Sequence, residues 1–77
     1  MTANKERKYK ILEAIVLDFN TSQDQYSALY EPDDNAQVIV DGSDVYLLYG
    51  GRKRLTINVT DLIDLYVKRG SVKEIND

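Results

Sequence analysis

The densest run of like charge in this chain is Arg52-Lys53-Arg54, directly after Gly50-Gly51. A glycine pair of this kind reads as a tight turn, so the three cations fall at or beside a hairpin tip, where they could contact a phosphate backbone. The basic N-terminal segment from Lys5 to Lys10 would add a second contact. The alternative is a solvated basic turn that keeps a sheet edge from pairing. Gly50-Gly51 is no phosphate loop, because the G-x-x-x-x-G-K-[ST] spacing and a following helix are both missing.

The carboxylates offer little for catalysis. Asp33 and Asp34 are adjacent in a turn-like PDDN, where neighbouring side chains point apart and no rigid apolar setting raises one pKa for acid–base work. Asp41-Gly42-Ser43-Asp44 carries ligand-type oxygens, yet a calcium loop needs ligands at alternating positions over roughly twelve residues between helices. Here the flanks are valine-rich and strand-like, so a hairpin turn explains the tetrapeptide. The 77 residues include no histidine and no cysteine. That inventory excludes histidine-based triads, imidazole and thiolate metal sites, disulfides, iron–sulfur clusters and thiol nucleophiles. The expectation is a non-enzyme with no catalytic residues, no metal and no cofactor.

Charge is unevenly laid out. The net charge is −3, but residues 11–51 hold eight acids and no base, while both flanking segments are net basic. If Asp33, Asp34, Asp41 and Asp44 gather on one side, they form an acidic surface that steers a basic partner toward it. Otherwise they solvate turns, where aspartate is favoured for its own backbone hydrogen bonding. Tyrosine is also abundant: of six, Tyr26, Tyr30, Tyr46 and Tyr49 lie in the middle of the chain. A tyrosine brings a large apolar ring and a hydroxyl that stays hydrated, which suits an interface as well as a core rim.

The elements that must position these groups follow from periodicity. Over residues 5–19, Tyr9, Ile11, Leu12, Ile15, Val16 and Phe19 fall on one arc of a helical wheel opposite Glu6, Arg7, Lys10, Glu13 and Asp18. This predicts an N-terminal helix, with Leu17 alone on the polar side. Short strand-like runs follow: QYSALYE, then strands near 37–40, 45–49 and 54–59 separated by Asp41-Gly42 and Gly50-Gly51. A four-residue loop over Asp41–Asp44 and a three-residue loop over Gly50–Arg52 would turn Val38, Val40, Val45, Leu47, Leu55, Ile57 and Val59 inward. Ile39, Tyr46 and Leu48 would then face outward, conditional on turn type. A final helix is expected from about 61 to 69, with Thr60 and Asp61 at its start, Lys68 and Arg69 at its end and Gly70 beyond.

The predicted fold is a single α+β domain over 1–77: a two-layer sandwich with an N-terminal helix, a three- to four-stranded antiparallel β-meander and a C-terminal helix. Residues 1–4 and 71–77 are expected as tails, the second with Val72 and Ile75 able to fold back. The polar MTANKERKYK start, with no hydrophobic region after it, predicts a cytoplasmic protein without signal peptide or membrane contact.

Two helices cover only one face of a small sheet, which makes Ile39, Tyr46 and Leu48, with Tyr49, the expected protein interface, through a homodimer or an unidentified protein partner. The functional expectation is a small acidic interaction or regulatory protein, of the sort bacteria and their phages encode, that binds another protein through its sheet face or acidic surface. The alternative is a nucleic-acid-binding module using Arg52, Lys53, Arg54 and the N-terminal bases. The overall acidity argues against that alternative.

Overall fold

In the computed structural model, which describes residues 6–33 and 35–75, the segment expected as the first helix is two strands. They are β1 (Glu6–Ile11) and β2 (Ile15–Asn20). Tyr9 and Ile11, then Ile15, Leu17 and Phe19, are buried at every second position, the period of a strand. Leu17, which fitted no helical face, is fully buried at 0% exposure. The segment is rich in Ile, Val, Tyr and Phe, whose branched or aromatic side chains pack better on a pleated surface than on a helix. At the corner between the strands, the Leu12 and Glu13 N–H groups both donate to the Ser71 carbonyl, at 2.8 and 3.0 Å.

The remaining elements are β3 (Gln25–Tyr30), β4 (Ala36–Asp41), β5 (Asp44–Tyr49), β6 (Arg52–Leu55), α1 (Thr60–Arg69) and β7 (Val72–Glu74). Five strands form an antiparallel sheet in the order β6-β5-β4-β1-β7, while β2 and β3 form a separate two-stranded sheet. The two sheets share one core, built from Tyr9 and Ile11, from Ile15, Leu17 and Phe19, and from Val38, Val40, Val45 and Leu47, with Ile63 and Tyr66 of α1 packed into it. A β-rich fold of two sheets, with one helix among the described residues, therefore replaces the expected two-layer sandwich with helices at both ends.

Turn length decides which side chains meet this core. The β4–β5 turn pairs Asp41 with Asp44 and puts Val38, Val40, Val45 and Leu47 inward, as the sequence pattern implies. The β5–β6 turn pairs Tyr49 with Arg52 and contains only Gly50 and Gly51, at φ of +60° and +80°. Positive φ at both central residues is the type I′ requirement and restricts these positions to glycine-like residues. The loop is thus one residue shorter than the expected Gly50–Arg52 loop, and the slip reverses the faces of β6. Arg54 stands opposite Leu47 on the core side, and Leu55 stands opposite Tyr46 outside, 56% exposed. Strand pairing then stops, so Ile57 and Val59 are also exposed, not inward as expected. Thr56 anchors the departing chain: its N–H and its hydroxyl both donate to the Val45 carbonyl, each at 2.9 Å.

Helix α1 begins after Val59, which makes no side-chain cap hydrogen bond, so Thr60 is inside the helix and not at its cap. Its end is a Schellman arrangement. Gly70, at φ +79°, donates to Val67, and the Ser71 N–H donates to Tyr66. Of the segment expected as a tail, Val72–Glu74 is instead strand β7, paired with β1. No helix among the described residues is long and apolar enough to cross a membrane.

Candidate functional site

A sheet edge presents unpaired N–H and C=O groups, and folded proteins blunt such edges with charge, brevity or cover. Among the described strands, three of the four sheet edges are blunted. β7 is three residues long and carries Lys73 and Glu74. β6 is four residues long and carries Arg52, Lys53 and Arg54. The edge of β2 that faces away from β3 is capped by groups distant in sequence. The Tyr66 hydroxyl accepts from the Val16 N–H at 3.2 Å and donates to the Val16 carbonyl at 3.0 Å. Two positions on, the Asp18 N–H donates to Asn58 Oδ1 at 2.8 Å, and the Asp18 carbonyl accepts from the Ile57 N–H at 2.9 Å. The Asn58 amide also donates to Asp18 Oδ2 at 3.2 Å, and the Ser27 hydroxyl donates to Asp18 Oδ1.

These caps fix the hydrogen-bonding phase of the hairpin. Val16 and Asp18 direct their main-chain groups away from β3, so their cross-strand partners Leu29 and Ser27 direct theirs away from β2. β3 therefore offers the N–H and C=O groups of Ser27 and Leu29 along an edge with no strand partner among the described residues. QYSALY contains no proline, lysine or arginine, and Leu29 is 63% exposed. Acids flank the strand: Asp24 before it, Glu31 and Asp33 after it.

At the C-terminal end of this edge lies a hollow of about 310 Å³ lined by Leu29, Tyr30, Glu31, Pro32, Asp33 and Tyr49. The Tyr30 and Tyr49 rings stand 6.2 Å apart at 57°. Behind them Tyr30 meets Phe19 edge-on at 6.1 Å, and Phe19 stacks on Tyr26 at 5.4 Å. The Arg54 guanidinium lies 4.6 Å from the Phe19 ring centroid and donates to the Tyr26 hydroxyl. Burial pushes the Tyr30 phenol above its ordinary pKa, with Arg54 pulling in the opposite direction. Asp33 is tied down by the Asn35 N–H, which donates to its Oδ1 at 2.9 Å.

The residues singled out from the sequence are distributed over separate parts of the fold. Ile39, Tyr46 and Leu48 do share the outer face of the five-stranded sheet, but Ile39 is only 4% exposed, and Tyr46 and Leu48 are half-buried. Lys53 lies 4.6 Å from the Tyr46 ring and pairs with Glu6 Oε2 at 3.0 Å, arching over that face. The Glu6 hydrogen bond holds the Lys53 pKa above its usual value. Tyr49 projects to the opposite face, into the hollow. Strand alternation likewise separates Lys53 from Arg52 and Arg54, while Lys8, Lys10 and Lys73 share the outer face with Lys53. Asp41 and Asp44 flank the β4–β5 turn, whereas Asp33 precedes the other end of β4. Asp34 and Lys5 lie outside the described residues. Among the described residues, no group of three or more acids is arranged to hold a metal ion.

No family model, curated protein or solved structure matches this chain. The site therefore rests on its own geometry. Sequence reasoning missed Ser27, Leu29 and Pro32 as surface-forming residues, and Tyr66 and Asn58 as caps. The alternation in QYSALYE was visible, but its status as an edge depends on pairing partners that no local pattern reveals.

Proposed function

We propose that this chain is a non-enzymatic interaction module that accepts an extended segment of another protein as an added strand along β3. The observation that carries this reading is that β3, among the described strands, is the edge without a blunting device. Strand addition draws affinity from main-chain hydrogen bonds and selectivity from pockets for alternate side chains. Ser27 and Leu29 supply the first, and the hollow beside Tyr30 and Tyr49 supplies the second. Arg54 is occupied by Phe19 and Tyr26, and Lys53 by Glu6, which leaves the basic hairpin less suited to phosphate than its sequence suggests. The test is amide exchange on the complex formed with a partner captured from the native host. Slowed exchange at Ser27 and Leu29, and loss of capture by Ser27→Pro, support the edge. Protection centred on Ile39, Tyr46 and Leu48 would move the interface to the outer sheet face and overturn it.

A further inference from the structure

We infer that the hollow at the end of β3 receives a lysine or arginine side chain of the docked segment, an inference that rests on the edge reading above. Its six lining residues include two tyrosine rings and two carboxylates, Glu31 and Asp33, and no cation. Neither nearby base is among the lining residues: Arg54 lies against Phe19, close enough to act on the Tyr30 phenol, and Arg52 is the cross-strand neighbour of Tyr49. An aromatic face attracts a cation through its quadrupole, and a nearby carboxylate adds a charge-assisted hydrogen bond. At about 310 Å³ the hollow has room for one long side chain.

Position supports the same assignment. Tyr30 belongs to the inner face of β3, so a strand hydrogen-bonded to Leu29 presents alternate side chains beside Tyr30, at the mouth of the hollow. The wider charge pattern agrees, since residues 11–51 carry eight acids and no base. A second copy of this chain pairing through β3 would bring Asp24, Glu31 and Asp33 against the same acids, with no base from that segment to neutralise them. A basic segment of another protein removes this conflict.

The test uses fluorescently labelled extended hexapeptides that alternate valine with polar residues. One carries a central lysine, and its counterpart carries norleucine, which keeps the apolar stem and lacks the charge. Titrated into the full chain, the lysine peptide is expected to bind about tenfold more tightly, with the preference fading as salt rises. The preference should disappear in Tyr49→Leu and, independently, in Glu31→Gln with Asp33→Asn, while Ser27→Pro removes binding of both peptides. Equal affinities for the two peptides, both lost in Ser27→Pro, would overturn the cation assignment and leave the edge standing. Absence of binding by either, with no amide shift along β3, would overturn both. Dimerisation that protects Ser27 and Leu29 would make the occupant a second copy and overturn the basic-partner assignment.

Discussion

Tyr66→Phe removes one oxygen atom and tests whether the hydroxyl cap holds β2 to α1. The ring remains to fill its place in the core, where Tyr66 is 9% exposed. What is lost is one acceptor for the Val16 N–H and one donor for the Val16 carbonyl, in part-buried surroundings. A typical hydrogen bond contributes about 0.5–1.5 kcal/mol net, and a buried group left unsatisfied costs about 1–3 kcal/mol. Two groups lose a partner, and partial access of water to β2 favours the low end for each, about 1 kcal/mol, giving an expected loss of about 2 kcal/mol. For a chain of this size the whole stability is on the order of 4–11 kcal/mol. The substitution should therefore lower Tm by roughly 10 °C. Chemical denaturation measures the loss, and native-state amide exchange localises it: the Val16 amide should exchange faster, whereas Leu17, bonded within the hairpin ladder, should not. A loss below about 0.5 kcal/mol, together with unchanged protection at Val16, would show that the hydroxyl is incidental and that β2 is held by packing alone.

Asn58→Ala, which uncaps the Asp18 N–H two positions along the same strand, is expected to lose about 1–2 kcal/mol in urea denaturation, and non-additively with Tyr66→Phe because both act on β2. Gly51→Ala places a Cβ at φ +80° and should destabilise by about 1–2 kcal/mol by the same measurement, from backbone strain and without a steric clash. Burial raises the phenol pKa values of Tyr9 and Tyr30. A folded-state pKa above the unfolded value gives stability that is complete below the unfolded value and is lost as pH rises through the folded one. Stability should thus fall above about pH 10, with ultraviolet absorbance showing late-ionising phenols. At physiological salt the chain is expected to bind DNA and RNA weakly or not at all; submicromolar, steeply salt-dependent binding abolished by Arg52→Ala with Arg54→Ala would refute this.

The sequence resolves strand from helix where a residue breaks one period but not the other. Leu17 was such a residue: it sat wrongly on a helical wheel and correctly on an alternating strand. Its neighbours Ile11, Ile15 and Phe19 fit both patterns, since spacings of four satisfy a period of 3.6 and a period of two together. The β4–β5 hairpin was legible because valines alternate on both sides of Asp41-Gly42. The faces of β6 were not, because a single glycine pair closes loops of different lengths and one residue reverses every side chain. The candidate edge was the least legible feature. It is defined by what caps its neighbour, and those caps come from Tyr66 and Asn58, at sequence separations of 50 and 40 residues from Val16 and Asp18.

Strand β1 has β4 on one side and β7 on the other, with Ile11 opposite Val72. During synthesis, then, an interior strand of the sheet leaves the ribosome well before either neighbour and long before the second. Its apolar side, Tyr9 and Ile11, shares a core with β2, which follows at once, and with Ile63 and Tyr66 of α1, which emerge much later. Closing so long a loop is slow relative to forming the local β4–β5 hairpin. That hairpin is accordingly the natural nucleus, and a ribosome-stalled chain ending at Gly70 should remain protease-sensitive while extension through Ile75 makes it resistant.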